Sequence, residues 1–64
     1  MVVRNEFAVV EVSVQERGGS TVLVIENATE GASIALDALE LEALTRTSHE
    51  TLRQLISATP PYTD

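Results

Sequence analysis

EFAVVEVSVQ (Glu6 to Gln15), ERGGS (Glu16 to Ser20) and TVLVIE (Thr21 to Glu26) follow one another without a break, and their reading decides the fold. In the first segment Ala8, Val10, Val12 and Val14 fall on one side, and Phe7, Val9, Glu11, Ser13 and Gln15 on the other. A period of two is that of a strand. The first side is apolar throughout, whereas the second turns polar from Glu11 onward. Valine, branched at Cβ, suits a pleated surface. Gly18 and Gly19 are adjacent and supply positive φ at low cost, so ERGGS predicts a hairpin turn. TVLVIE is apolar on both sides and too short for periodicity to arbitrate. Its β-branched content and flanking turns predict a second strand, buried on both faces.

Outward from the hairpin, NATEGA (Asn27 to Ala32) is a loop with Asn27 and Gly31 as its turn residues. SIAL (Ser33 to Leu36) is a short third strand, with Ile34 and Leu36 on one face. The three strands are expected to form an antiparallel meander. Asp37 then opens a helix, its carboxylate accepting the free amide of Glu40 and Glu40 returning the bond in a capping box. Thr45 to Ser48 is weaker helix material. Thr47 or Ser48 is placed to cap a second helix, Glu50 to Ala58, with Thr47 and Glu50 repeating the box spacing. Pro60 and Pro61 stop it. At 100° per residue a continuous helix puts Leu41, Leu44, Leu52 and Leu55 on one stripe, with Ile56 at its margin. The balance favours two helices, or one bent at Thr45 to Ser48. The fold expected is therefore α+β: a three-stranded meander followed by one bent or two short helices, in a single domain over 1–64 with 59–64 as a loose tail.

Sixty-four residues bound the possibilities further. A chain this short builds a marginal core, usually helped by disulfides, a metal or a second chain. With no cysteine and His49 as the only histidine, disulfides, thiolate zinc sites and a histidine-rich metal site are excluded. At 44% hydrophobic residues the sequence is too apolar for a disordered tail. The leucine stripe is expected to cover one face of the sheet. Phe7, Val9 and one side of TVLVIE then remain uncovered, and an uncovered apolar face marks an interface. A two-fold dimer is the commonest closure. Phe7, Val9, Leu39, Leu41 and Leu44 are the residues expected at that self-contact.

Ten acidic residues against four arginines give a formal charge of -6, which repels nucleic-acid phosphates unless Arg4, Arg17, Arg46 and Arg53 converge. Arg46 and Arg53 lie seven apart, on one helical side if the helix is continuous, and are the candidate anion contact. No apolar run approaches the ~20 residues of a membrane span. The start, MVVRNEFAVV, lacks the order of a signal peptide, so the expected location is cytoplasmic. No catalytic constellation emerges. His49 has no cysteine to activate and reads as an exposed residue in the first turn of a helix. Glu40 and Glu42 point about 200° apart on a helix and cannot chelate together. Gly18-Gly19-Ser20 lacks the spacing of a phosphate loop and is followed by a strand. No cofactor, metal or enzymatic activity is expected.

Two resemblances add to these expectations. The order strand, hairpin, strand, loop, short strand, helix, with Ile34-Ala35-Leu36 leading into Asp37 to Leu44, is similar to the PC4-like single-stranded-DNA-binding domains. That likeness covers about Phe7 to Ile56 and implies a dimer that binds single strands across its sheets in transcription. Asn5-Glu6-Phe7-Ala8, the run IALDALELEALT (Ile34 to Thr45), Glu50-Thr51 and a proline-containing tail resemble a family of very short actinobacterial proteins often labelled dihydrodiol dehydrogenase. That match spans most of the chain, with Arg46 where the family pattern has an aromatic. No dinucleotide fingerprint accompanies the label. The function expected first is that of a noncatalytic homodimeric accessory or interaction protein. The alternative is a single-stranded nucleic-acid binder, for which four arginines, Phe7 and Tyr62 supply little of the basic groove and aromatic platform required.

Overall fold

The structure is a computed structural model and describes residues 1–57. The expected tail, 59–64, and Ala58 lie outside the described residues. The elements run β1 (Val2–Arg4), β2 (Val9–Arg17), β3 (Ser20–Asn27), β4 (Ser33–Leu36), α1 (Ala38–Leu44) and α2 (His49–Ser57). The fold is α+β, with one antiparallel sheet in the order β1-β2-β3-β4 followed by two helices.

The sheet has four strands rather than three, because Val2–Arg4 pairs with β2 through Val2 opposite Glu11, Val3 opposite Val10 and Arg4 opposite Val9. Asn5 makes the added hairpin possible. Its Oδ1 accepts the amides of Phe7 at 2.8 Å and Ala8 at 3.0 Å, and its own amide donates to the carbonyl of Ala8 at 3.0 Å. A side chain that mimics a turn carbonyl reverses the chain without glycine. Phe7 therefore sits in that turn, not on the strand expected to begin at Glu6.

The central hairpin matches its sequence. Arg17 pairs with Ser20, leaving Gly18 (φ 58°) and Gly19 (φ 83°) as a two-residue loop. Two consecutive positive φ values give the reversal whose twist matches that of the strands. The third turn also follows its residues. Asn27 Oδ1 accepts the amides of Thr29 and Glu30, Gly31 adopts φ 79°, and the Asn27 amide donates to the Ala32 carbonyl at 2.7 Å.

The first helix starts where expected, and the second one residue earlier, at His49 instead of Glu50. Asp37 Oδ1 accepts the Glu40 amide at 2.8 Å and Glu40 Oε1 accepts the Asp37 amide at 2.9 Å, completing the capping box. Asp37→Ala removes the side-chain acceptor of the Glu40 amide from a helix of seven residues, too short to persist by itself. It is expected to cost about 1 kcal/mol in denaturant unfolding; an unchanged midpoint would show that α1 draws its stability from elsewhere. The chain leaves helical pairing after Leu44, and α2 starts at His49. Of the two candidate caps Ser48 is used: its Oγ accepts the Thr51 amide at 3.1 Å. Thr47 turns back instead, its hydroxyl donating to the Ala43 carbonyl at 3.3 Å. No second capping box with Glu50 forms at Thr47.

The largest departure is in packing. None of the described residues is buried. The second strand of the central hairpin, expected to be buried on both faces, is only half-buried from Val22 to Ile25. Substantial element-to-element packing is confined to neighbouring strands. The leucine stripe does not close over the sheet: Leu44 is 47% exposed and Leu55 65% exposed, and of the stripe only Leu41 is half-buried. The radius of gyration is 13.2 Å, against ~11 Å for a compact chain of this length.

Candidate interaction surface

Cross-strand partners share a face of the sheet, so the register sorts every strand residue. Val3, Val10, Val12, Val14, Leu23, Ile25, Ile34 and Leu36 lie on one face, with Glu16, Thr21 and Asn27 at its margins. The opposite face carries Val2, Val9, Val22, Val24 and Ala35 interleaved with Arg4, Glu11, Ser13, Gln15, Arg17, Ser20, Glu26 and Ser33. The first face is therefore apolar across all four strands and the second is mixed.

The apolar face is open. Val14 is 70% exposed and Ile34 55%. Two shallow depressions meet at Val10 on this side. One, of about 270 Å³, is lined by Val10, Ile25, Asn27, Ala32, Ser33 and Ile34; the other, of about 160 Å³, by Val3, Arg4, Asn5, Ala8 and Val10. Both are smaller than the ~300–1,000 Å³ of sites that enclose a small molecule. Their relief suits side chains entering from a flat counterpart. The face's one strand carboxylate, Glu16, is held at the hairpin end, where its Oε2 accepts the Thr21 hydroxyl at 2.6 Å.

The polar face places Glu11 directly opposite Glu26, a like-charge pair. The terminal ammonium of Met1 lies 3.2 Å from Glu11 Oε2 and offsets that repulsion. Among the described residues no group of three His, Cys, Asp or Glu side chains is arranged to hold a metal ion. No described helix is long and apolar enough to cross a membrane.

The residues expected at the self-contact are scattered. Phe7 is 70% exposed in the β1–β2 turn, while Val9 is half-buried on the mixed face opposite Arg4. On α1, Leu41 and Leu44 are three apart and share a side, whereas Leu39 is turned about 200° from Leu41. The expected anion contact is not assembled on a helical side, because the helix that would have aligned Arg46 with Arg53 is interrupted between them. Arg46 lies in the turn, its Nη2 3.9 Å from Glu42 Oε1. Arg4 and Arg17 stand at opposite ends of the sheet, ~27 Å apart by the strand rise, and Arg17 donates to Gln15 Oε1 at 3.1 Å.

Sequence reasoning placed Val10, Val12 and Val14 on one face and Ile34 with Leu36 on another strand. It did not join them into one surface or add Val3, Leu23 and Ile25. The missing signal was register, which the two-residue Gly18-Gly19 loop fixes once the turn is assigned. No family model matches the chain, and neither a curated protein nor a solved structure matches it.

Proposed function

We propose that this protein is a small noncatalytic homodimer whose work is protein contact, an accessory or interaction protein of the cytoplasm. One observation carries the reading: the chain by itself buries none of its described residues, although 44% of its sequence is hydrophobic. It exposes 5373 Å², roughly a third more than the ~4,000 Å² of a compact monomer of 6.9 kDa. A surplus above ~1,000 Å² exceeds the ~800 Å² that each partner commonly gives up in a stable pair. A second copy turns that surplus into a shared core. Leu41 and Leu44, adjacent on α1, are available to the same contact.

Light scattering over a hundredfold dilution tests the reading. The expected mass is twice 6.9 kDa, held to micromolar concentrations. A monomer mass throughout, with the strand and helix content intact, would end it.

A further inference from the structure

We infer that the two copies meet through the apolar sheet face, the same face of each chain stacked across a two-fold axis. The inference rests on the proposed self-association and says where it occurs.

The face spans all four strands and covers about 400 Å² in plan from strand rise and spacing. That is within the upper range of apolar patches that monomers leave open. Its centre is Val12, Ile25 and Ile34 in one cross-strand row, flanked by the row Val14, Leu23 and Leu36. Two rows of branched side chains interdigitate with an identical set as in a sheet-on-sheet core ~10 Å thick.

Charge selects the face. Each chain carries -6, so two copies repel wherever carboxylates meet. On this face the only strand carboxylate is Glu16, at the hairpin end. The mixed face holds Glu11 and Glu26 at its middle with Arg4 and Arg17 toward its ends, and the helices with their cap carry Asp37, Glu40, Glu42 and Glu50. The apolar face, with one charged strand residue at its margin, is thus where two copies meet with the fewest charged groups to desolvate. It also holds no acidic cluster to recognise a basic partner. An isologous contact further requires a self-complementary surface. A flat apolar sheet face meets that condition.

The test uses the unaltered protein. Dimers are mixed from isotope-labelled and unlabelled chains, and isotope-filtered nuclear Overhauser spectra select contacts between chains. The expected result is cross-chain contact among the methyls of Val10, Val12, Val14, Leu23, Ile25 and Ile34. Cross-chain contacts confined to Val9, Val22 and Val24, or to Leu39, Leu41 and Leu44, would overturn the inference and leave self-association standing. Contacts from the apolar face to the partner's helices would overturn the like-to-like stacking. No cross-chain contact, with a monomer mass by light scattering, would remove both the inference and the reading beneath it.

Discussion

Ile25→Asp is expected to raise the dimer dissociation constant on the order of 1,000-fold, equivalent to about 4 kcal/mol. Ile25 lies in the central row, opposite Val12 on one side and Ile34 on the other. A two-fold seam meets each substitution twice, so two carboxylates enter one apolar layer. Each loses hydration without a cation to replace it, at several kcal/mol per ion before relaxation. Folding is expected to fail with association. None of the described residues of the isolated chain is buried to hold its hairpins together, and obligate dimers often have no stable folded monomer. Circular dichroism at the concentration where the wild type is dimeric should therefore lose strand signal in step with the fall in mass. Ser13→Asp is the control. Ser13 neighbours Val12 in sequence but lies on the mixed face, exposed, opposite Val24. It adds the same charge and should leave the mass unchanged. A dimer of unaltered affinity in Ile25→Asp would move the seam elsewhere, whatever Ser13→Asp does.

What the sequence made legible was local, and what it left out was relational. Asp37 and Glu40 announce a capping box because both bonds close within one turn, and both form. Gly18 and Gly19 announce a reversal because positive φ is a property of the residue itself. The break between the helices was also readable, from the low helix preference of Thr45 to Ser48. The first strand was missed because Val2–Arg4 is three residues long and its turn depends on a side-chain oxygen of Asn5, not on a glycine. The leucine stripe misled for a different reason. Amphipathic spacing shows that a helix has a side to cover, but it does not show which chain supplies the cover. Leu41 and Leu44 were assigned to this chain's own sheet on layer logic, and the sheet remains open. The same limit explains the self-contact residues. Phe7 and Val9 looked uncovered because the other face was assumed to be occupied. With that face empty, Val12, Val14, Ile25 and Ile34 have the stronger claim on a partner. Arg46 and Arg53 do not share one helical side, because their alignment needed an unbroken helix.

The hairpin loop offers the second large effect, and its sign depends on chirality alone. A Cβ at Gly18 or Gly19 would meet no atom within 4 Å beyond its chain neighbours, so substitutions there chiefly test backbone preference. Gly19→Val places a β-branched residue at φ 83°, a conformation such residues avoid. The cost expected is about 2 kcal/mol, combining left-handed strain with the stiffness of valine. In a 64-residue protein that is a large share of the total stability, and the register of β2 with β3 depends on this loop. Gly18→Asn should act the other way. It converts the loop to Asn-Gly, the pair most favoured where both central residues need positive φ. It also removes some freedom from the unfolded chain, worth up to ~1 kcal/mol where the native conformation is compatible. Denaturant unfolding at one fixed protein concentration separates the two variants, because the association contribution is then held constant and only the loop differs. The expected order of midpoints is Gly18→Asn at or above wild type, and Gly19→Val well below it. Equal midpoints for Gly19→Val and wild type would mean that the loop relaxes to another turn, and that the apolar face, not the two-residue loop, holds Val12 against Ile25.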